Sequence, residues 1–554
     1  MTRLASPSPV HRPAKLPNRH GPLRLVAESF LLFALVAAWM LPSIQNRAIV
    51  WDEGMTFDRQ KRIREGAFKL REGSPFAPTI DKFWRFSREE PDGHGPFYAL
   101  WSLAGAAASG WALEPPASYR FAGAVLFAAA AAAVWTTLRT RWSLLSAAAA
   151  AALLATMPRI IPETSTAVVD GPLFSLAILA WCAFVPLSEG RSRLAILAFG
   201  AAIGCAMATK LTGWFLPLPY LAWALIRRDL ATLVRLAAGG AVAAGVCFAL
   251  NLGWWTDPVG GVLGFFQSNL TRKETIPIPS LFLGVRYDYS LPWYNTLVWT
   301  VAAAPAGTML LGLLGAGWAA ARARRDGLAL GLLLNWLLIM VLRSLPQAPG
   351  HDGVRQILIS FGFLPILAAY ALERVRTVLA PLAGGALAAA AAAVLAGAAV
   401  AESTFASLRY RPLELSYYSP LVGGLAGAER CGFEPTYFWD AVSPDVLDWL
   451  NDHTGPGDWI LFRNQTPSWK YLREFGMLNA STDVSRLHQS PPKWFVLQHR
   501  PGLYTEADRR ILAECTPAYQ KRLFGTPLLS VFSGDDWRRV WWNQPAEKAI
   551  EGQP

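Results

Sequence analysis

Apolar and polar positions fall into long blocks along this chain. From Leu25 to Ile44 the sequence is almost continuously apolar, about 20 residues, the length an α-helix needs to cross a bilayer. Further apolar segments follow at 96–113, 119–138, 143–157, 171–188, 194–209, 211–226, 236–252, 294–316, 328–345, 355–372 and 382–400. Backbone groups cannot stay unpaired in hydrocarbon, and no segment has the two-residue alternation of a barrel, so the blocks predict helices. The pattern is that of an α-helical polytopic membrane protein with about 11–13 transmembrane helices. Alanine runs at 128–133 and 147–152 predict faces of small residues on which helices approach closely. The first run has no small-residue cleavage site after it and reads as a retained helix.

Two stretches break this pattern. Residues 45–95 form a polar loop with helical patterning from Phe57 to Leu70. From about residue 401 the chain turns polar and rich in Trp, including Trp439, Trp449, Trp459, Trp469, Trp494, Trp537, Trp541 and Trp542. Asp458 to Phe462 and Trp494 to Leu497 read as strands, and Ser443 to Leu450 as a helix with a Ser cap. A small α/β domain is expected over 401–554.

Composition agrees: 53% of residues are hydrophobic and 16% charged, against about 25% charged in soluble domains. The net charge of +12 does not point to nucleic acid, because the basic residues are gathered in short joints. They lie in the N-terminal tail (Arg3, Arg12, Lys15, Arg19, Arg24) and at Arg139/Arg141, Arg191/Arg193, Arg227/Arg228, Arg322/Arg324/Arg325 and Arg374/Arg376. That bias marks the cytoplasmic side of membrane helices. It divides the chain into a basic cytoplasmic tail (1–24), a transmembrane region (25–400) with its outer loop 45–95, and an extracytoplasmic domain (401–554). Loops 253–293 and 346–354 also fall outside. One conflict remains: the Arg139 joint reads as inside and the Asp52 loop as outside, with two segments between them. Either one of 96–113 and 119–138 is partial or re-entrant, or the Arg139 joint lies outside. Cys182, Cys205 and Cys247 read as packing residues; Cys431 and Cys515 are able to pair if the tail is outside the cytoplasm.

Candidate chemistry sits at the predicted outer helix ends. Asp52 and Glu53 follow the first crossing, at the membrane–water boundary, where a base would meet a lipid-borne substrate; an acidic helix start is the competing reading. His94, in Asp92-Gly93-His94-Gly95-Pro96, is suited to phosphate or metal binding, proton transfer or a helix cap. Asp170 precedes a Gly-Pro helix start and suits both a site and an N-cap. Lys210 splits two apolar runs, where a lysine is costly and marks function unless it snorkels to the interface. Gly350-His351-Asp352-Gly353-Val354-Arg355 opens another crossing, where Arg355 either forks onto a phosphate or anchors the helix. No Cys/His spacing suggests a zinc site.

The order of the acidic pair, the His-Gly-Pro helix start, Tyr119-Arg120-Phe121-Ala122-Gly123-Ala124, Val169-Asp170-Gly171-Pro172 and Thr209-Lys210 resembles the GT-C glycosyltransferases. The similarity spans roughly 25–380 and is greatest to the branch of protein O-mannosyltransferases and lipid A aminoarabinose transferases. It implies a membrane glycosyltransferase moving sugar from a polyprenyl-phosphate donor to a lipid, glycan or protein acceptor at the outer face of the plasma (inner) membrane. In that role Asp52 is the catalytic carboxylate, Glu53 its companion and Asp170 the second acid. Lys210, Arg355, His94, His351 and Arg120 become donor-phosphate ligands. Gly95 stands where many members carry a first Pro. Some members bind a divalent metal; this sequence shows no ligand set for one. A carboxylate base and fixed cations suffice for direct, inverting displacement from a lipid phosphate. The competing reading is a transporter or flippase of a lipid-linked solute. That class keeps ionisable groups near the bilayer midplane and has paired halves, and no clear repeat is visible here.

Overall fold

The computed structural model describes residues 21–84, 93–271, 278–438, 440–464, 466–488 and 490–542. Tail residues Arg3, Arg12, Lys15 and Arg19, together with Asp92 and Trp439, lie outside the described residues. The first helices are α1 (Pro22–Asn46), α2 (Trp51–Arg71), α3 (Phe76–Phe83), α4 (Phe97–Ser109), α5 (Ala117–Arg139), α6 (Leu144–Thr156), α7 (Ile160–Thr164), α8 (Asp170–Ser188) and α9 (Arg193–Met207). Among the described residues seven helices are long and apolar enough to cross a membrane: α1, α5, α8, Leu230–Leu250, Gly327–Ser344, Gly353–Ala383 and Gly385–Tyr410. The shorter apolar α6 and α9 pack among them. The chain is a multi-pass membrane protein.

Small residues set the spacing as expected. Ala128, Ala130 and Ala131 of α5 and Ala147, Ala150 and Ala151 of α6 are buried in one core. A Cβ at Gly200 or Gly204 of α9 would run into Val242 or Val246 of Leu230–Leu250. The apolar segment 294–316 is two helices, Asn295–Ala303 and Ala306–Arg322, because Pro305 interrupts the hydrogen-bonding ladder. The last long helix runs ten residues beyond residue 400, the end its hydropathy suggested. Its polar residues turn inward: Glu402 accepts from the Ala306 and Gly307 amides at 2.7 Å, and Ser403 donates to the Thr156 carbonyl at 3.0 Å.

The ends of the bundle differ in charge. At one end Arg139 of α5 faces Glu28 of α1 at 3.5 Å, Arg141 and Arg191 meet Glu189, and Arg227 donates to the Arg324 carbonyl. The acidic motifs lie at the other end. Helix α4 does not run from one end of the bundle to the other. Its start is tied to the segment after α9 (Gly95 N to Thr209 O, 3.0 Å), and its Ser109 hydroxyl lies 3.4 Å from the Ser118 carbonyl at the start of α5. Its 13 residues span about 20 Å, too short for a ~30 Å core, and both ends stay at the acidic end.

After Tyr410 comes a four-stranded sheet in the order β3-β4-β6-β5, formed by β3 (Ile460–Phe462), β4 (Trp494–Gln498), β5 (Tyr519–Leu523) and β6 (Thr526–Ser533), after a hairpin of β1 (Ser280–Phe282) and β2 (Val285–Tyr287) earlier in the chain. β3 and β4 run parallel; β4–β6 and β5–β6 are antiparallel. Two-residue alternation gives each face a partner. Trp459, Leu461, Phe495, Leu497 and Phe532 pack on Ile511 and Trp537, while Ile460, Phe462, Val496 and Val531 join the main helical core. All five cysteines are free, Cys431 and Cys515 included, so the tail carries no disulfide.

Candidate active site

The site begins at the first turn of α2. Glu53, at its third position, accepts from the Val50 amide at 3.0 Å, reaching back to the free end of the helix. On the far side Ser468 Oγ lies 2.8 and 2.6 Å from the Val50 and Trp51 carbonyls and accepts from Gly54 N–H at 3.1 Å. Gly54 permits this approach: a Cβ there would overlap the Ser468 backbone. The turn is clamped from both sides, and Asp52 projects from it.

Asp52, Asp170 and Asp352 converge on one guanidinium, that of Arg355, and Lys210 joins the cluster through Asp170. Arg355 Nη2 pairs with Asp52, Nε donates to Asp170 Oδ2 at 2.6 Å, and Nη1 donates to Asp352 Oδ2 at 3.1 Å. The second Asp170 oxygen accepts from Lys210 Nζ at 2.9 Å. Asp170 is the first residue of α8 but does not cap it; its carboxylate is held by the two cations. Asp52 keeps 23% of its side chain exposed while Asp170 and Arg355 keep 5% and 7%, so Asp52 is the acid an incoming group can reach. A small crevice opens beside the cluster, lined by Asp170, Leu173, Lys210, Arg343, Arg355 and Ile359 among others.

One expected ligand, Arg120, and one expected acid, Glu53, are placed elsewhere. Arg120 donates to Glu53 through Nε (2.7 Å) and Nη2 (2.6 Å), and to the carbonyls of Ile44, Arg47 and Ala48. All five of its N–H groups are engaged, so it has none for a phosphate. Glu53 is fully buried, and beyond Arg120 it accepts from the Ala167 and Val50 amides. The pair is a strut joining α2 to α5, and Glu53 is not the exposed companion of Asp52. His94 lies at the Thr209–Lys210 corner through the Gly95–Thr209 bond, and Gly95 is needed there because a Cβ would collide with the Ala208 carbonyl. His351 sits 3.0 Å from Gln356 at the head of the Arg355 segment.

Several residues join the site that sequence reasoning did not select. Phe438 lies under Arg355, its ring centre 3.9 Å from Cζ. Asp352 is ion-paired to Arg500 at 3.2 Å, and Arg500 Nε donates to Glu434 at 2.8 Å. Burial pushes the Asp352 carboxyl up, but Arg500, His351 and Arg355 outweigh it and hold it below the usual range. Glu163 of α7 is buried, its Oε2 has no hydrogen-bond partner, and burial pushes its carboxyl up to about 8 against the pull of Arg355.

No family model matches the chain, and no curated protein does. The solved structure of ArnT from Cupriavidus metallidurans bound to undecaprenyl phosphate aligns with 92% of this chain and 98% of its own, at 16% identity and a TM-score of 0.50. The chain shares this fold. The archaeal oligosaccharyltransferase AglB from Archaeoglobus fulgidus, in complex with an inhibitory peptide and a dolichol-phosphate, aligns over 85% of this chain and 69% of its own, at 12% identity and a TM-score of 0.47.

In this fold the acidic cluster draws on α2, α8, the segment after α9 and the 3₁₀ turn Gly353–Ile357 that opens Gly353–Ala383. Among the described residues no group of three His, Cys, Asp or Glu side chains is gathered to hold a divalent metal, and both Asp170 oxygens face cations.

Proposed function

We propose that this chain is an integral-membrane glycosyltransferase that moves a sugar from a polyprenyl-phosphate donor to an acceptor hydroxyl, with inversion at the anomeric carbon. The observation that carries the reading is the gathering of Asp52, Asp170, Arg355 and Lys210 into one ion-pair cluster beside a crevice, in a GT-C fold. The ArnT structure with its undecaprenyl phosphate supports the donor class. Arg355 and Lys210 receive the donor phosphate. As the phosphate takes up Arg355, Asp52 is released to accept the proton of the attacking hydroxyl. The new glycosidic bond forms as the bond from the anomeric carbon to the phosphate oxygen breaks, and the two cations stabilise the charge that collects on the leaving phosphate. The basic joints at the opposite end of the bundle favour a cytoplasmic position for that end. The acidic site and the carboxyl-terminal sheet then face the outside of the plasma membrane.

The test is a panel of polyprenyl-phosphate sugars offered to the purified protein, with release of lipid phosphate as the readout. Wild type turns over at least one donor, and Asp52→Asn lowers that rate by about 10²- to 10⁴-fold, the range of a general base. A variant working at near wild-type rate removes Asp52 from this role. Absence of turnover across the panel favours a lipid-linked-solute transporter.

A further inference from the structure

The carboxyl-terminal region sits on the catalytic cluster, and it touches Arg355 and Asp352 at two defined points. Phe438 supplies a flat face under the Arg355 guanidinium. Arg500, just after β4, supplies a charge to Asp352. The two oxygens of Asp352 are divided: Oδ2 accepts from Arg355 Nη1, and Oδ1 faces Arg500 Nη2 at 3.2 Å. Arg500 is held by Glu434, whose Oε2 accepts from Nε at 2.8 Å. Arg500, Asp352, Glu434 and Arg355 are all more than nine-tenths buried. At this burial each unit of charge matters, because little water is present to screen it.

The division of Asp352 has a consequence for Arg355. Three carboxylates compete for that guanidinium, and Asp352 is the nearest in sequence, three residues away. With Arg500 ion-paired to one Asp352 oxygen, a single Arg355 nitrogen serves Asp352, and Nε and Nη2 stay aimed at Asp170 and Asp52. Without Arg500, Asp352 is an under-compensated buried charge that draws the Arg355 fork onto itself, since two parallel N–H bonds are the strongest arrangement an arginine offers a carboxylate. The cation then turns away from the crevice, and the site gains one net negative charge where an anionic phosphate is to bind. Asp352 also holds a left-handed backbone (φ 60°), as does Gly353 after it (φ 58°), so this turn is held by its surroundings.

We infer that Arg500 is a positioning residue for the donor phosphate: by sharing Asp352 it keeps Arg355 presented to the crevice, and so couples docking of the carboxyl-terminal sheet to donor binding. The inference rests on the donor class proposed above. It adds to that reading a residue about 145 positions beyond Arg355 that touches neither donor nor acceptor.

The experiment uses the full chain in detergent and titrates undecaprenyl phosphate by quenching of tryptophan fluorescence, alongside the turnover assay. Arg500→Gln weakens binding about tenfold and raises the KM for donor by a similar factor, with the KM for acceptor unchanged. Arg500→Lys, which keeps the charge, recovers most of the loss. The decisive arm is the double variant Arg500→Gln/Asp352→Asn: removing the charge that Arg500 had answered returns binding to within about threefold of wild type. A loss that persists in the double variant makes Arg500 a fold-stabilising residue only and overturns the inference, as does an Arg500→Gln protein that binds donor like wild type. Wild-type protein that fails to bind undecaprenyl phosphate overturns the donor class, and the inference with it; the wild-type arm thus separates the two failures.

Discussion

Replacing Arg355 by lysine keeps the charge and removes the fork. Lysine offers a compact point charge on a flexible stem, while the guanidinium reaches Asp52, Asp170 and Asp352 at once from three nitrogens. An ammonium at that position keeps at most one of those contacts in good geometry and gives up two. With the fork gone, the donor phosphate loses one of the two N–H bonds a guanidinium gives it, and a hydrogen bond to a charged group contributes about 1.5–3 kcal/mol. At about 1.4 kcal/mol per tenfold, that predicts a fall of about 10- to 100-fold in kcat/KM for donor. Release of lipid phosphate under saturating acceptor, followed by mass spectrometry, measures it. Thermal melting of the detergent-solubilised variant checks that the protein is still folded. An Arg355→Lys protein that is folded and retains a third or more of wild-type kcat/KM refutes the view that a forked cation organises this site.

Other perturbations separate support from chemistry. Arg120→Met leaves Glu53 buried without its partner and destabilises the fold by about 3–5 kcal/mol, seen as aggregation or a lowered Tm; a stable but inactive variant would return Arg120 to the phosphate site. Gly54→Val drives a side chain into the Ser468 backbone and lowers Tm by several degrees; an unchanged Tm would mean that α2 and the Ser468 turn do not meet. Glu163 holds its proton more tightly folded (about 8) than unfolded (4.5), so its contribution is complete below about pH 4.5 and is lost as pH rises towards 8. Glu163→Gln flattens the decline of Tm between pH 5 and 9, and parallel curves for variant and wild type would refute the assignment.

Much of this site was legible because its charges interrupt apolar runs. Asp52, Asp170, Lys210 and Arg355 each stand where hydrocarbon-length segments begin or end, and a charge there is costly unless it is used. Their role as partners of one another was not legible, since Arg355 meets Asp52 across 303 positions and Asp170 across 185. Glu53 and Arg120 carry the same kind of signal as Asp52, Asp170 and Arg355, and only the closed set of five Arg120 donors separates a strut from a ligand. Arg500, Glu434 and Phe438 lie in a polar stretch where charges and aromatics are ordinary, so nothing local marked them. Helix α4 looked like a crossing because hydropathy does not register direction; its anchorage at both ends does. The sheet was half visible. β3 and β4 have runs of apolar residues, whereas β5 reads Tyr-Gln-Lys-Arg-Leu and pairs through its backbone at an edge.

The contact between α2 and Ser468 bears on how the molecule is made. A ribosome threading this chain into the bilayer delivers Asp52 early, yet the turn that braces it and the arginine that tunes Arg355 are translated more than 400 residues later. Nascent chains can therefore have every long helix inserted and still be inert, so that chemistry near the translocon waits for the last part of the message to be read.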